Sequence, residues 1–164
     1  MDLRDAPFEH TALRAFYGHV PSAVLALAAE RSGERIVMAV SSFTTVSLAP
    51  PLLTVSIRRE SETWPALREG RIGGSLLGSE QAELARAIAS GPMQQRLDNV
   101  PVVTADSGAI FMAGATSWFE GELVEEFPAG DHLLALIRLQ AIAQEPSVPP
   151  LIFHRSVFGA VHAV

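Results

Sequence analysis

The stretch from Leu133 to Ala143, LLALIRLQAIA, sets Leu133, Ala135, Ile137, Leu139, Ala141 and Ala143 on one face at period two, with Arg138 and Gln140 on the other. An α-helix does not segregate residues in that way, so the stretch is read as a long, half-buried strand. Thr116 to Phe127 reads as a second long strand, joined to it through the turn Pro128-Ala129-Gly130-Asp131. The same reading extends upstream. Ser22 to Ala29 and Ile36 to Ser42 are apolar runs around the polar, glycine-containing Glu30-Arg31-Ser32-Gly33-Glu34, which predicts a hairpin. Leu52 to Ile57, Ile72 to Leu77, Ala109 to Ala113 and Leu151 to His154 are further strands. Short helices are expected before His19, on Leu13 and Phe16, and over Ser61 to Glu69, with Pro65 in the first turn. Another is expected to run from Gly78-Ser79 through Ile88. Ser90 to Gly108 has Pro92, Asn99 and Pro101 and no sustained period, and reads as a loop with little chemistry. Many strands, two or three short helices and mostly antiparallel connections predict a mainly β fold, a β-barrel.

The chain has 164 residues, enough for one domain over residues 1–164 with a substantial core. It is 48% hydrophobic and only 18% charged, a balance that invites a partner surface, most simply a homodimer. The formal charge of −6, without an arginine stripe, argues against nucleic acid. With no cysteine there is no disulfide, no cysteine zinc site and no thiolate nucleophile. All 12 basic residues are arginine, which removes lysine Schiff-base chemistry. No HExxH, GxSxG or GxGxxG is present, so no metal is expected, and hydrolase and dehydrogenase readings lack a motif. The N-terminal residues lack an apolar leader core, and no apolar run approaches the ~20 residues of a membrane span. The expectation is a cytoplasmic protein with no membrane segment.

Chemistry is concentrated in a few places. Met38 to Leu53, MAVSSFTTVSLAPPLL, carries Ser41, Ser42, Thr44, Thr45 and Ser47 before Pro50-Pro51. Such a stretch is either an ordinary polar loop with local turns or a cradle for phosphate or the polar edge of a heterocycle. Arg58-Arg59, next to Ser61 and Thr63, is either a solvated pair or a bidentate phosphate clamp. His132 follows Gly130-Asp131, where an imidazole serves the turn or faces a ligand cavity. Phe153-His154-Arg155-Ser156-Val157-Phe158 is either strand packing with a snorkelling arginine or a wall for a planar molecule.

Taken in order, GHVPSAVLALAA (Gly18 to Ala29), MAVSSFTTVSLAPPLL, SIRRESETWPALR (Ser56 to Arg68), GDH (Gly130 to His132) and PLIFHRSVFG (Pro150 to Gly159) resemble the short-chain flavin reductase family. The resemblance implies the FMN-binding split β-barrel, of Greek-key type, and a homodimer. It also implies an NAD(P)H:flavin oxidoreductase using FMN or FAD with NADH or NADPH, often the partner of a flavin-dependent monooxygenase. Matching positions imply that Pro21, Ser22, Val40, Ser41 and Ser42 line the isoalloxazine. Ser47, Ser56, Arg58, Ser61 and Thr63, with Ser75 nearby, would serve the ribityl chain and phosphate. His132, Arg155 and Phe158 would hold the nicotinamide nucleotide. Ala23 stands where the family usually has glycine, and Ser41 where it often has asparagine. The alternative expectation is a flavin carrier or electron-transfer module without nicotinamide turnover.

Overall fold

The computed structural model describes residues 3 and 5–161. Residues 1, 2, 4 and 162–164, part of the domain expected over 1–164, lie outside the described ones. The chain is mainly β. Its elements are α1 (His10–Tyr17), β1 (Ser22–Ala23), β2 (Leu25–Arg31), β3 (Glu34–Val40), β4 (Phe43–Leu48), β5 (Pro51–Arg58), α2 (Trp64–Leu67), β6 (Arg71–Leu76) and α3 (Ala82–Ser90). They continue with β7 (Val102–Thr104), β8 (Ile110–Met112), β9 (Ser117–Ala129), β10 (His132–Gln144), β11 (Leu151–His154) and β12 (Val157–Ala160).

Seven strands form one antiparallel sheet in the order β3-β2-β6-β9-β10-β5-β4. Its two edge strands, β3 and β4, are consecutive in the chain and separated only by Ser41-Ser42. Laid flat, the sheet would be about 29 Å wide at ~4.8 Å per strand. Val40 and Phe43 are three Cα steps apart and span at most about 11 Å. The sheet therefore curls until its edges meet at the Ser41-Ser42 corner. β3 and β4 are not neighbours in the ladder, so the seam between them stays open.

β2 shows how the curl is filled. Leu25, Leu27 and Ala29 face the interior with Val55, Ile57, Ala135 and Ile137, and Trp64 and Leu67 of α2 pack among them. Val24, Ala26 and Ala28 face outward, where α3, β8 and β11 cover them with Ile88, Ile110, Met112 and Leu151. Both faces are buried, which is why this strand reads as an unbroken apolar run rather than an alternation.

The hairpin between β2 and β3 closes through Ser32 and Gly33, at φ of 52° and 82°, as a tight hairpin with two left-handed residues requires. Several expectations need correction. Ser22 to Ala29 is not one strand, because the chain breaks at Val24 and β1 joins β11 and β12 in a separate sheet. The hydroxyl stretch is not a loop beyond Ser42. Phe43 to Leu48 pairs with β5 as an edge strand, and only Ser41-Ser42 form the corner. The α2 helix is four residues long, shorter than Ser61 to Glu69 suggested. Ser90 to Gly108 contains β7, and the β12 strand was not expected. The period-two face of β10 holds from Leu133 to Leu139, then a bulge opposite Gly121-Glu120 shifts the register and leaves Ala141 and Ala143 exposed.

Candidate functional site

The Ser41-Ser42 corner is fixed by β5. Ser42 Oγ donates to the Ser56 carbonyl at 2.9 Å and accepts from the Ser56 N–H at 3.3 Å. Arg58 ends β5 directly opposite His132, the first residue of β10. Beyond Arg58 the chain turns through Arg59 and Glu60. The Ser61 N–H bonds the Arg58 carbonyl at 3.0 Å, and Ser61 Oγ accepts from the Trp64 N–H at 3.2 Å. The corner, the β5 end, this turn and the start of β10 are therefore locked to one another by short polar contacts.

Together they wall a cleft of about 680 Å³, lined by Val40, Ser41, Ser42, Ser56, Ile57, Arg58, Glu60, Ser61, Glu62, Thr63 and His132. Ile88 and Ala89 at the end of α3, together with Arg96, also line it. The volume lies inside the range of roughly 300–1,000 Å³ typical of ligand clefts.

His132 is half-buried, and its Nδ1 lies 2.8 Å from Asp131 Oδ1. A carboxylate only accepts, so Nδ1 carries the proton and Nε2 is the ring nitrogen left for a ligand. The hydrogen bond from His132, followed by its charge, holds the Asp131 carboxyl below the usual carboxylate range. Arg59 Nε approaches the His132 carbonyl at 3.4 Å, so Arg59 braces the β10 start from outside the cleft lining.

Arg96 was not singled out in the sequence, where it sits in a segment read as loop. Its Nε donates to the Gly91 carbonyl at 3.0 Å, and Nη1 to the Val37 carbonyl at 3.1 Å and to Thr63 Oγ1 at 3.3 Å. β3 is a sheet edge, and the guanidinium supplies a donor that a further strand would otherwise bring. Nη2 has no hydrogen-bond partner among the described residues. The available signal was an arginine in a low-charge, Pro- and Gly-punctuated loop following a helix, which does not separate a brace from a solvated side chain.

Other expected residues lie elsewhere. Ser47 is on β4, in a shallow apolar recess with Leu48, Leu52 and Ile142. Ser75 is fully buried and its Oγ accepts from the Met112 N–H at 2.9 Å, tying β6 to β8. Pro21 and Phe158 line a separate recess beside His154 and Val157. Arg86 of α3 stacks over the Phe158 ring at 5.0 Å. Ser22 pairs with Phe153, and Arg155 sits in the β11–β12 turn, its N–H bonded to the Gly18 carbonyl. Within a single chain these six residues are not part of the cleft lining.

The flavin reductase like domain model matches residues 17–162. The chain is 31% identical over 151 residues to an NADH-dependent flavin reductase, StyB, of Pseudomonas fluorescens, covering 90% of this chain and 88% of that one. Its fold superposes with a TM-score of 0.90 on the NADH:FAD oxidoreductase SgcE6 of Streptomyces globisporus solved with NAD and FAD fragments. That pair is 27% identical, and the match covers 99% of this chain and 98% of the other. A TM-score of 0.86 relates it to BorF, the flavin reductase component of a bacterial two-component tryptophan halogenase, at 26% identity over 95% of this chain and 100% of that chain. A curled antiparallel sheet with a hydroxyl corner, an arginine turn and a histidine meeting at its open seam thus belongs, by a match that spans nearly the whole chain, to the flavin reductase like family.

Proposed function

We propose that this chain is an NAD(P)H:flavin oxidoreductase whose flavin occupies the cleft at the Ser41-Ser42 corner. What supports the reading is that one recess gathers the hydroxyl corner, the Arg58 turn and His132 in a chain of this family. The cleft fits a flavin on its own chemistry. Val40, Ile57, Ile88 and Ala89 offer an apolar strip for a planar ring, and Ser41, Ser56, Arg58, Ser61 and Arg96 offer donors for carbonyl and phosphate oxygens.

When bound, the flavin supplies the redox chemistry by taking up a hydride from the reduced nicotinamide at N5. The protein's work is positioning and charge stabilisation. Ser42 spends its hydroxyl on Ser56 and acts by fixing the corner, which leaves Ser41 as the hydroxyl free for the ligand. Arg58 and Arg96, both lining the cleft, hold phosphate oxygens. His132 Nε2 orients the nicotinamide nucleotide and is not required to move a proton. Arg155 and Phe158 reach the nucleotide only if it extends along α3 toward the β11–β12 turn.

The outer face of β4 and β10 supports a homodimer. Leu48 is 97% exposed and Ile142 76% exposed beside an apolar recess of about 410 Å³ framed by Phe111, Trp118 and Phe119. Burying such a face is the simplest use for it. Leu48→Glu with Ile142→Glu is expected to halve the mass measured by light scattering, and an unchanged mass would refute that interface. A flavin-dependent oxygenase or halogenase is the class of protein that would consume the reduced flavin. A cytoplasmic setting, where reduced nicotinamides are abundant, fits the role. No described helix is long and apolar enough to cross a membrane.

The test follows nicotinamide absorbance under air with and without added FMN or FAD. Oxidation that depends on added flavin is expected. Flavin binding without oxidation would favour the carrier alternative, and the absence of both would overturn the reading.

A further inference from the structure

On β9, Leu123 lies opposite Ile137 of β10 in the interior core, and strict alternation would next turn Glu125 inward and Glu126 out to solvent. The opposite is seen. A bulge at Val124 shifts the register by one residue, so Glu126 lies opposite the fully buried Ala135 while Glu125 is exposed. Bulges re-aim side chains, and this one delivers a carboxylate to the inner face of the curled sheet.

That carboxylate is shared between two donors. Glu126 Oε1 accepts from the Trp64 indole N–H and Oε2 from Arg68 Nη1, so one side chain grips the first residue of α2 and the residue that ends it. A helix of four residues does not hold its own geometry in water, so such tethers set where α2 and the turn before it sit. Trp64 is the critical end. It is 2% exposed, its ring packs in the interior core, and its backbone N–H donates to Ser61 Oγ. A hydroxyl that accepts there keeps its own hydrogen for a ligand, and Ser61 lines the cleft. Glu126 does not line the cleft. It stands on the β9–β10 hairpin that also carries His132, and so ties the Ser61 turn to that hairpin.

Building on the flavin-cleft reading above, we infer that Glu126 is a positioning residue for the flavin's phosphate: it fixes Trp64, and through Trp64 it turns the Ser61 hydroxyl toward the cleft as a donor.

Calorimetric titration with FMN and riboflavin, below every melting transition, tests this on the intact protein and on variants of the clamp. Glu126→Leu removes the acceptor. Trp64→Phe removes the donor from the other end, keeps an aromatic ring in the core, and answers for Glu126→Leu should that variant not fold. Each is expected to weaken FMN binding about tenfold, the scale of one charge-assisted hydrogen bond to phosphate. Riboflavin, which has no phosphate, is expected to bind them as it binds wild type. Glu126→Gln keeps an oxygen for the indole, and Arg68→Met removes an ion pair whose arginine is 41% exposed and whose worth is small. Both are therefore expected to bind FMN as wild type does. Unchanged FMN affinity in the variants that break the indole contact, an equal loss for riboflavin, or no rescue by glutamine overturns the positioning role while leaving the flavin cleft standing. Loss of folding in both Glu126→Leu and Trp64→Phe makes the contact a structural one and overturns the role as well. Failure of wild type to bind either flavin overturns the cleft and the role together.

Discussion

Replacing Arg96 with methionine separates a structural from a binding contribution. Methionine retains much of the aliphatic stem but removes every donor. Three hydrogen bonds are lost, to the carbonyls of Gly91 and Val37 and to Thr63 Oγ1. Gly91 is partly exposed, so water replaces its partner at little cost. Val37 is fully buried, and its carbonyl lies on the outer edge of β3, where no strand follows. An acceptor stranded there costs about 1–3 kcal/mol, so Arg96→Met is expected to lower stability by about 2 kcal/mol in urea denaturation. The free Nη2 predicts a second effect. Binding of phosphorylated flavin should weaken by about tenfold, within the range of one charge-assisted hydrogen bond, while riboflavin binding changes little. A stability loss under about 0.5 kcal/mol, the level of an unremarkable surface change, would refute the edge-bracing argument. Equal weakening of riboflavin and FAD would refute the phosphate role.

His132→Ala is expected to lower kcat/KM for the reduced nicotinamide by up to ~100-fold, the cost of a mispositioned reactant, with a smaller change in flavin affinity; steady-state kinetics with each substrate varied checks this. Gly73→Ala would place a Cβ 2.1 Å from the Ile110 carbonyl oxygen, a backbone atom that cannot swing aside. The variant should lose about 3 kcal/mol or fail to fold, seen as a lowered or absent melting transition, and near-wild-type melting would contradict the close β6–β8 packing. Asp131 is held below its ordinary value of 3.8, first by the hydrogen bond from His132. Its folded value is lower than its unfolded one, so its stabilisation is present above about pH 4 and is lost as pH falls through the depressed folded value. Asp131→Asn should therefore differ from wild type in a neutral-pH melt and converge with it in strong acid; a difference that grows in acid would have the wrong sign.

The strands were legible where one face was buried and the other wet, as from Leu133 to Leu139, because the pleat writes itself into the sequence at period two. β2 was legible as an apolar run for the opposite reason, both faces being covered. Phe43 to Leu48 was missed as a strand because an edge strand on an exposed surface has polar residues on both sides, and three hydroxyls in six residues look like a loop. Arg96 was missed because the function of an arginine depends on what it reaches, and Val37 and Thr63 are 59 and 33 residues away. Ser47 and Ser75 share the chemistry of Ser41 and Ser61. Only the tertiary structure shows one on an outer face and the other buried against Met112.

The sequence by itself determined a mainly β chain, the family it belongs to, and the residue types available for binding: hydroxyls, arginines and one histidine in a glycine-led turn. Those follow from local periodicity and ordered motifs. The tertiary structure decided which of them meet. Because β3 and β4 are the two edges of one sheet joined by two residues, the sheet curls, and the corner, the Arg58 turn and His132 are drawn to one open seam. That convergence depends on strand order and register, which no single stretch of sequence encodes.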